Sequence, residues 1–227
     1  MTLWSAAAAT TLGRDHAVTR KNRQDAAVAV AAGETTFGVV SDGCGEARSS
    51  EVGALLTVAF AREGAARALS RGASLETVAR SAVASVVRGL AQVALAIDPR
   101  EREAFVREHL LATVLGFAAR GCDAVLFAAG DGLLLSSDIC RVIDQHNRPS
   151  YPAYALSGHS VPVVIEHVHD VELLAVSTDG LEMAELRQVS AGSLASVGRR
   201  LVLLQRQGAL ADDGAVAIAR REPPCAS

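Results

Sequence analysis

Apolar positions divide the chain into short strand-like runs and two long helix-like ones. Leu3 to Thr11, Ala26 to Ala32 and Thr35 to Val40 read as strands. Two helical segments follow, "SSEVGALLTVAFAREGAARALS" and "SLETVARSAVASVVRGLAQVALAI". In the second, Leu75, Val78, Ala79, Ala82, Val86, Leu90, Val93 and Ile97 recur at helical spacing, Ser74 is placed to cap the N-terminus, and Glu76 puts a negative charge where the helix dipole favours it. Pro99 stops this helix, and "REREAFVREHL" predicts a further short one. Strand-like runs then come at Leu111 to Ala119, Ala124 to Ala129, Leu133 to Ser136, Ala153 to Ser157 and Val161 to Val168, with "HNRPSYPAY" reading as a long internal loop. Finally "VELLAVST" leads into a helical "LEMAELRQV", a helix within Ser193 to Gln207, and a last strand, Ala215 to Ala219. Runs of strands interrupted by paired helices predict an α+β fold, two antiparallel sheets with helices packed outside, rather than strict βαβ alternation.

Composition narrows the class. At 227 residues the chain fits one domain, 1–227, able to bury a core without disulfide or metal staples. Half of it is hydrophobic, mostly Ala, Val and Leu, and only 4% is aromatic, so the core is built from small and branched side chains. The formal charge of −3 with scattered Lys and Arg gives no footprint for nucleic acid or an anionic membrane. Cys44, Cys122, Cys140 and Cys225 lie far apart without a CxxC pair, which argues against a zinc ribbon and a disulfide scaffold and makes a reducing cytoplasm the default. The opening "MTLWSAAAATTLG" lacks a basic leader and reads as a first strand. Other apolar stretches are broken by Arg, Glu or Gln before the roughly 20 residues of a membrane span, so a soluble protein is expected.

The chemistry lies in recurring aspartates. "FGVVSDGCGEA" stops an apolar run at Asp42; Asp131 in "AVLFAAGDGLLLSSD", Asp179 in "ELLAVSTDGLEMA" and Asp212 and Asp213 in "LADDGAVAIA" repeat the pattern. An Asp-Gly hairpin accounts for Asp131 but poorly for Asp42 and Asp179, which precede helical sequence. If the strands carrying Asp42, Asp179 and Asp212 end at one edge, their carboxylates crowd and need a compensating cation. Oxygen donors without His or Cys favour Mg²⁺ or Mn²⁺ over Zn²⁺. Two such ions suit phosphoryl chemistry, activating a water and neutralising charge in an in-line transition state.

These motifs, with "RKNRQDA" and "LLATVLGFA" in the same order, resemble the metal-dependent protein phosphatases of type 2C, the PPM family, in a bacterial variant, over nearly the whole chain. The resemblance implies a central sandwich of two antiparallel sheets flanked by helix pairs, and hydrolysis of Ser/Thr phosphate on a protein substrate of some Ser/Thr kinase. It implies that Asp42 bridges two ions with the Gly43 carbonyl on one of them, that Asp179 and Asp212 complete the first site, and that Asp131 serves a weaker third. Asp25 would act through a water and Arg20 would hold the substrate phosphate. Asp213 takes the position of the family's asparagine.

Three residues depart from the pattern. Gln24 stands where many members have a glutamate ligand, Cys44 where eukaryotic members have a histidine proposed as general acid, and Met183 where a third-metal aspartate is often found, with Glu182 adjacent. They motivate a rival reading, a pseudophosphatase that binds a phosphorylated partner without turnover; a hydrolase of small phosphoesters is a third. Cys44 could also be a redox-sensitive thiol, His16 could orient the Arg20 motif, and His167 and His169 share a strand face that could hold a metal or simply be an exposed edge.

Overall fold

Strands β4 (Val114–Arg120) and β5 (Asp123–Ala129) are apolar on both faces, and both faces are buried. Val114 and Ala118, with Val125 and Phe127, pack toward helices; Leu115, Phe117 and Ala119, with Leu126 and Ala128, pack toward a second sheet. That two-residue period makes the strands the middle of a layered structure. The computed structural model describes residues 3–137, 139–146 and 148–222, so Cys225 lies outside the described residues.

The first sheet runs β1 (Leu3–Thr11), β10 (Gly214–Glu222), β9 (Leu173–Ser177), β6 (Gly132–Ser136) and β7 (Cys140–Ile143). The second runs β2 (Ala26–Ala32), β3 (Thr35–Ser41), β4, β5 and β8 (Val164–His169). Every pairing between these strands is antiparallel. Trp4, Val40, Leu134, Leu174, Val176 and Ala217 join the inner faces of β4 and β5 in the core between the sheets. Outside the second sheet lie α2 (Glu51–Ser70) and α3 (Leu75–Leu95), and outside the first lie α5 (Met183–Ser190) and α6 (Val197–Arg206). The α+β expectation, two antiparallel sheets flanked by helix pairs, holds. Phe37, Phe117 and Phe127 are fully buried. Each such side chain contributes roughly 1.5–3 kcal/mol of burial.

Local signals explain most boundaries. Ser74 Oγ accepts the Thr77 N–H at the start of α3, as its sequence position predicts. Helix α3 is long and apolar enough by composition to cross a membrane, yet half of that stretch is buried against the core. The run Leu111 to Ala119 begins as strand only at Val114, because Leu111 to Thr113 is engaged with the Asp42 turn instead: Cys44 N–H donates to Leu111 O (2.9 Å) and Thr113 N–H to Asp42 O (2.8 Å). Just before it, the short α4 (Arg102–Phe105) runs into a π-helical turn, Val106–Leu110.

One expected strand is absent. Ala153 to Ser157 belongs to a 3-10 turn, Pro152–Ser157, with Pro152 in its first turn and Gly158 closing it at φ 82°. The apolar "PAYAL" is too short for periodicity to distinguish strand from helix, and a proline at the start, with φ already set, decides for the helical turn. Two elements had no counterpart in the sequence reading: the edge strand β7 and the short helix α1 (Arg14–Thr19), which buries no residue and so carries no apolar period.

Candidate metal centre

The strand register gathers the aspartates. Asp42 follows the end of β3, and Asp25 precedes β2, whose Ala26 pairs with Ser41. Ser177, at the end of β9, pairs with both Val216 of β10 and Leu133 of β6, so Asp179, Asp212 and Asp131 all fall at that same end of the first sheet. The two sheets thus bring five carboxylates to one edge of the sandwich.

Each is held locally. The Asp42 N–H donates to Thr113 Oγ1 at 3.0 Å, and Ser41 Oγ donates to Thr113 O at 2.6 Å, tying the aspartate turn to the start of β4. Thr178 Oγ1 donates to Asp25 Oδ2 at 2.7 Å and accepts the Ala215 N–H at 3.0 Å, which links β2, β9 and β10. Asp213 is buried; its Oδ1 accepts the Gly13 N–H at 2.7 Å and its Oδ2 the Gln24 N–H at 2.6 Å. Two glycines permit this closeness: a Cβ on Gly13 would lie 2.1 Å from the Asp212 carbonyl carbon, and one on Gly180 would lie 1.7 Å from the Asp213 carbonyl oxygen.

One oxygen from each of Asp42, Asp131 and Asp179 fits within 4.8 Å of the others. Burial, followed by the charges of Asp25 and Asp179, holds the Asp42 carboxyl well above its ordinary range. Burial likewise pushes Asp25 up to about 7, against the Thr178 hydrogen bond that lowers it. Asp131 rises to about 6 through burial and then Asp179, and Asp179 rises through burial and then Asp212. Among the described residues no Lys or Arg forms an ion pair with these four. Asp131 Oδ1 is buried without a hydrogen-bond partner. Carboxylates crowded, partly desolvated and lacking a cation form an all-oxygen donor set that fits a hard divalent ion.

The centre lies in a cavity of about 1210 Å³, with Asp42, Asp131, Asp179 and Asp212 in its lining. The lining also includes Arg102, Val106 and Arg107 of α4 and the π turn, with Arg148, Tyr151 and Tyr154 from the segment between β7 and β8. A smaller cavity of about 320 Å³ shares Asp131 and Asp179 and is lined also by Asp144, Glu182 and Met183.

The structure brings Asp25, Asp42, Asp131, Asp179 and Asp212 together, although neither Asp25 nor Arg20 is in the cavity lining. Arg20 ends α1 at φ 58°, exposed and outside the cavity lining. Gln24 is also outside the lining: its Nε2 donates to Ala47 O at 3.3 Å and its Oε1 is buried without a partner. Glu182 caps α5, reciprocally with Glu185. His16 sits between the paired aspartates, Nδ1 2.9 Å from Asp213 Oδ2 and Nε2 3.7 Å from Asp212 Oδ1. His167 and His169 pair separately, with Glu76 and Asp123, on the exposed edge strand. Thr178, Asp144, Arg107, Arg148 and Tyr151 were not singled out by the sequence. Only Thr178 had a signal, its place beside Asp179.

Carboxylates of this kind at one end of a double sheet, facing a broad cavity, define a candidate metallohydrolase centre. The sequence model of the protein phosphatase 2C family matches residues 12–212, and the chain belongs to that family. A search of curated proteins finds no match. Among solved structures, the fold is shared with PppA, described as a key regulatory component of T6SS in Pseudomonas aeruginosa, at 22% identity and a TM-score of 0.67 over 98% of this chain and 100% of that one. It is also shared with the Ser/Thr phosphatase Stp1 of Staphylococcus aureus (15% identity, TM-score 0.65, 97% and 96% covered). The catalytic domain of the Ser/Thr protein phosphatase PstP, solved with two manganese ions, is similar at 18% identity and a TM-score of 0.65, over 98% of this chain and all of that one.

Proposed function

We propose that this chain is a single-domain, metal-dependent phosphatase that hydrolyses phosphoserine or phosphothreonine on a protein substrate of a Ser/Thr kinase. The observation that carries it is the group of Asp42, Asp131 and Asp179 oxygens within 4.8 Å of one another in the wall of a broad cavity. Asp42, the Gly43 carbonyl, Asp179 and Asp212 would hold two Mg²⁺ or Mn²⁺ ions, with Asp131 reaching a weaker third. Bound there, such ions activate water and neutralise phosphoryl charge.

The chain's own residues supply position. Thr113 fixes Asp42 through its backbone, Thr178 fixes one oxygen of Asp25, and Asp25 orients the attacking water. Arg20 is assigned the substrate phosphate by its motif, while Arg107 and Arg148 are the exposed guanidinium groups of the cavity wall. A cavity of this size accommodates a phosphorylated side chain together with its flanking peptide. Free thiols at Cys44, Cys122 and Cys140 support a reducing, cytoplasmic setting.

The position of Arg20 outside the cavity and the capping duty of Glu182 favour the rival, a phosphoprotein-binding module without turnover. One assay separates the two. With Mn²⁺, an aryl phosphate and a phosphothreonine peptide should both be hydrolysed, and a chelator should abolish the reaction. Phosphopeptide binding without release of phosphate would establish the rival.

A further inference from the structure

Cys44 puts a thiol, a weak donor, at the reaction end of the cavity. The phenol of Tyr151 lines the same cavity, and no oxygen or nitrogen of the described residues hydrogen-bonds its hydroxyl. Tyr151 is 7% exposed, yet it lines the cavity together with Asp42, Cys44, Asp131 and Asp179. Its backbone is pinned: the Tyr151 N–H donates to Pro149 O at 3.0 Å, Tyr151 O accepts from Tyr154 N at 3.0 Å, and Pro152 fixes the next turn. Its ring meets Tyr154 edge-on at 5.5 Å. A buried phenol normally has a good oxygen or nitrogen partner, and a thiol is a poor one. Burial raises the phenol above its ordinary value, so the hydroxyl is a donor.

We propose that the Tyr151 hydroxyl is a substrate contact, donating a hydrogen bond to the phosphoryl group on its leaving-group side. The role assigned to Tyr151 rests on the phosphatase reading. In the reaction, water adds to phosphorus, the bond from phosphorus to the ester oxygen breaks with its electron pair going to that oxygen, and a proton derived from the water protonates the resulting alkoxide to give the alcohol. Tyr151 stabilises the charge growing on the ester oxygen and remains protonated throughout. Inorganic phosphate, through its unprotonated oxygens, can accept the same hydrogen bond. Tyr151 is therefore a catalytic residue drawn from the segment between β7 and β8, in addition to the aspartates.

The test compares Tyr151→Phe with wild type, both loaded with Mn²⁺. A hydrogen bond to a charged oxygen corresponds to roughly ten- to a hundredfold. The variant should bind inorganic phosphate, by calorimetry, at least several-fold more weakly. Its kcat should fall about tenfold or more on a phosphothreonine peptide and much less on nitrophenyl phosphate, whose leaving oxygen gathers less charge. Mn²⁺ affinity and melting temperature should not change, because the ring and its packing remain. Cys44→Ala, which removes the thiol and leaves the phenol, should keep phosphate affinity. Unchanged phosphate affinity and an unchanged leaving-group dependence in Tyr151→Phe would overturn the contact, as would an equal loss of phosphate binding in Cys44→Ala. If wild type hydrolyses no phosphoester while its phosphate affinity still responds to Tyr151→Phe, the hydrolase reading falls and the contact stands.

Discussion

The Gln24 N–H donates to Asp213 Oδ2 at 2.6 Å, joining the residue before Asp25 to the residue after Asp212. With Gly13 N–H on the other oxygen at 2.7 Å, one buried carboxylate closes both ends of the segment that carries α1 and Arg20. Asp213→Ala would strand two backbone donors, each costing roughly 1–3 kcal/mol if water does not reach them. The variant should therefore unfold at clearly lower denaturant. Asp213→Asn, which keeps one acceptor oxygen, should fall between. Equal midpoints for all three proteins would show that solvent satisfies both donors.

Asp42→Asn should abolish phosphatase activity and the rise in melting temperature that Mn²⁺ produces. In metal-free protein the same change should leave stability equal or higher, because it removes a buried charge that Asp25 and Asp179 repel. Calorimetric scans with and without Mn²⁺ decide this. A lower metal-free melting temperature would mean that Asp42 stabilises the fold rather than the ions.

Much of this edge was legible in the sequence because it depends on where strands stop. The runs read as ending at Val40 and Thr178 and as starting at Ala215 form strands that end at Ser41 and Ser177 and start at Gly214, each within two residues of an aspartate, and antiparallel pairing then brings those ends together. What was hidden depends on the path of irregular backbone. Arg20 satisfies its motif by spacing, yet α1 takes the chain around a turn at φ 58° and leaves it exposed. Tyr151 lies in a proline-bounded segment whose apolar residues suggested a strand and form a 3-10 turn. No periodic pattern reports which wall of a cavity such a segment will build.

The raised carboxyls also predict a pH response. Between the ordinary carboxylate value and the raised ones, about 6 for Asp131 and about 7 for Asp25, the folded protein binds more protons than the unfolded chain. Their contribution to stability in metal-free protein is thus present at low pH and is lost as pH rises through 6 to 7. Mn²⁺ must displace those protons, so its affinity should increase over the same interval. The difference in melting temperature between wild type and Asp131→Asn, followed from pH 4 to pH 8 without metal, isolates one group. Wild type should lose ground to the variant as pH rises; the opposite trend would contradict the burial argument.

Gln24 is the departure whose meaning the structure changes. Reading it at a glutamate ligand position suggests that Gln24→Glu should tighten the second ion, since a unit charge about 4 Å from a cation is worth a few kcal/mol at an effective dielectric near 20. In the structure Gln24 is 2% exposed, outside the cavity lining, and its amide N–H is given to Ala47 O at 3.3 Å. A glutamate there would exchange that donor for a carboxylate oxygen facing a carbonyl, in a place already crowded with negative charge. It would have to protonate or force the turn at Ala47 open. Gln24→Glu should therefore lower the unfolding midpoint, more at pH 8 than at pH 5, and leave the Mn²⁺ concentration for half-maximal activity within about twofold of wild type. Gln24→Met, similar in length and without charge, should be milder and independent of pH. A tenfold drop in the Mn²⁺ requirement of Gln24→Glu with no loss of stability would instead show that this side chain turns from Ala47 toward the ions when they bind.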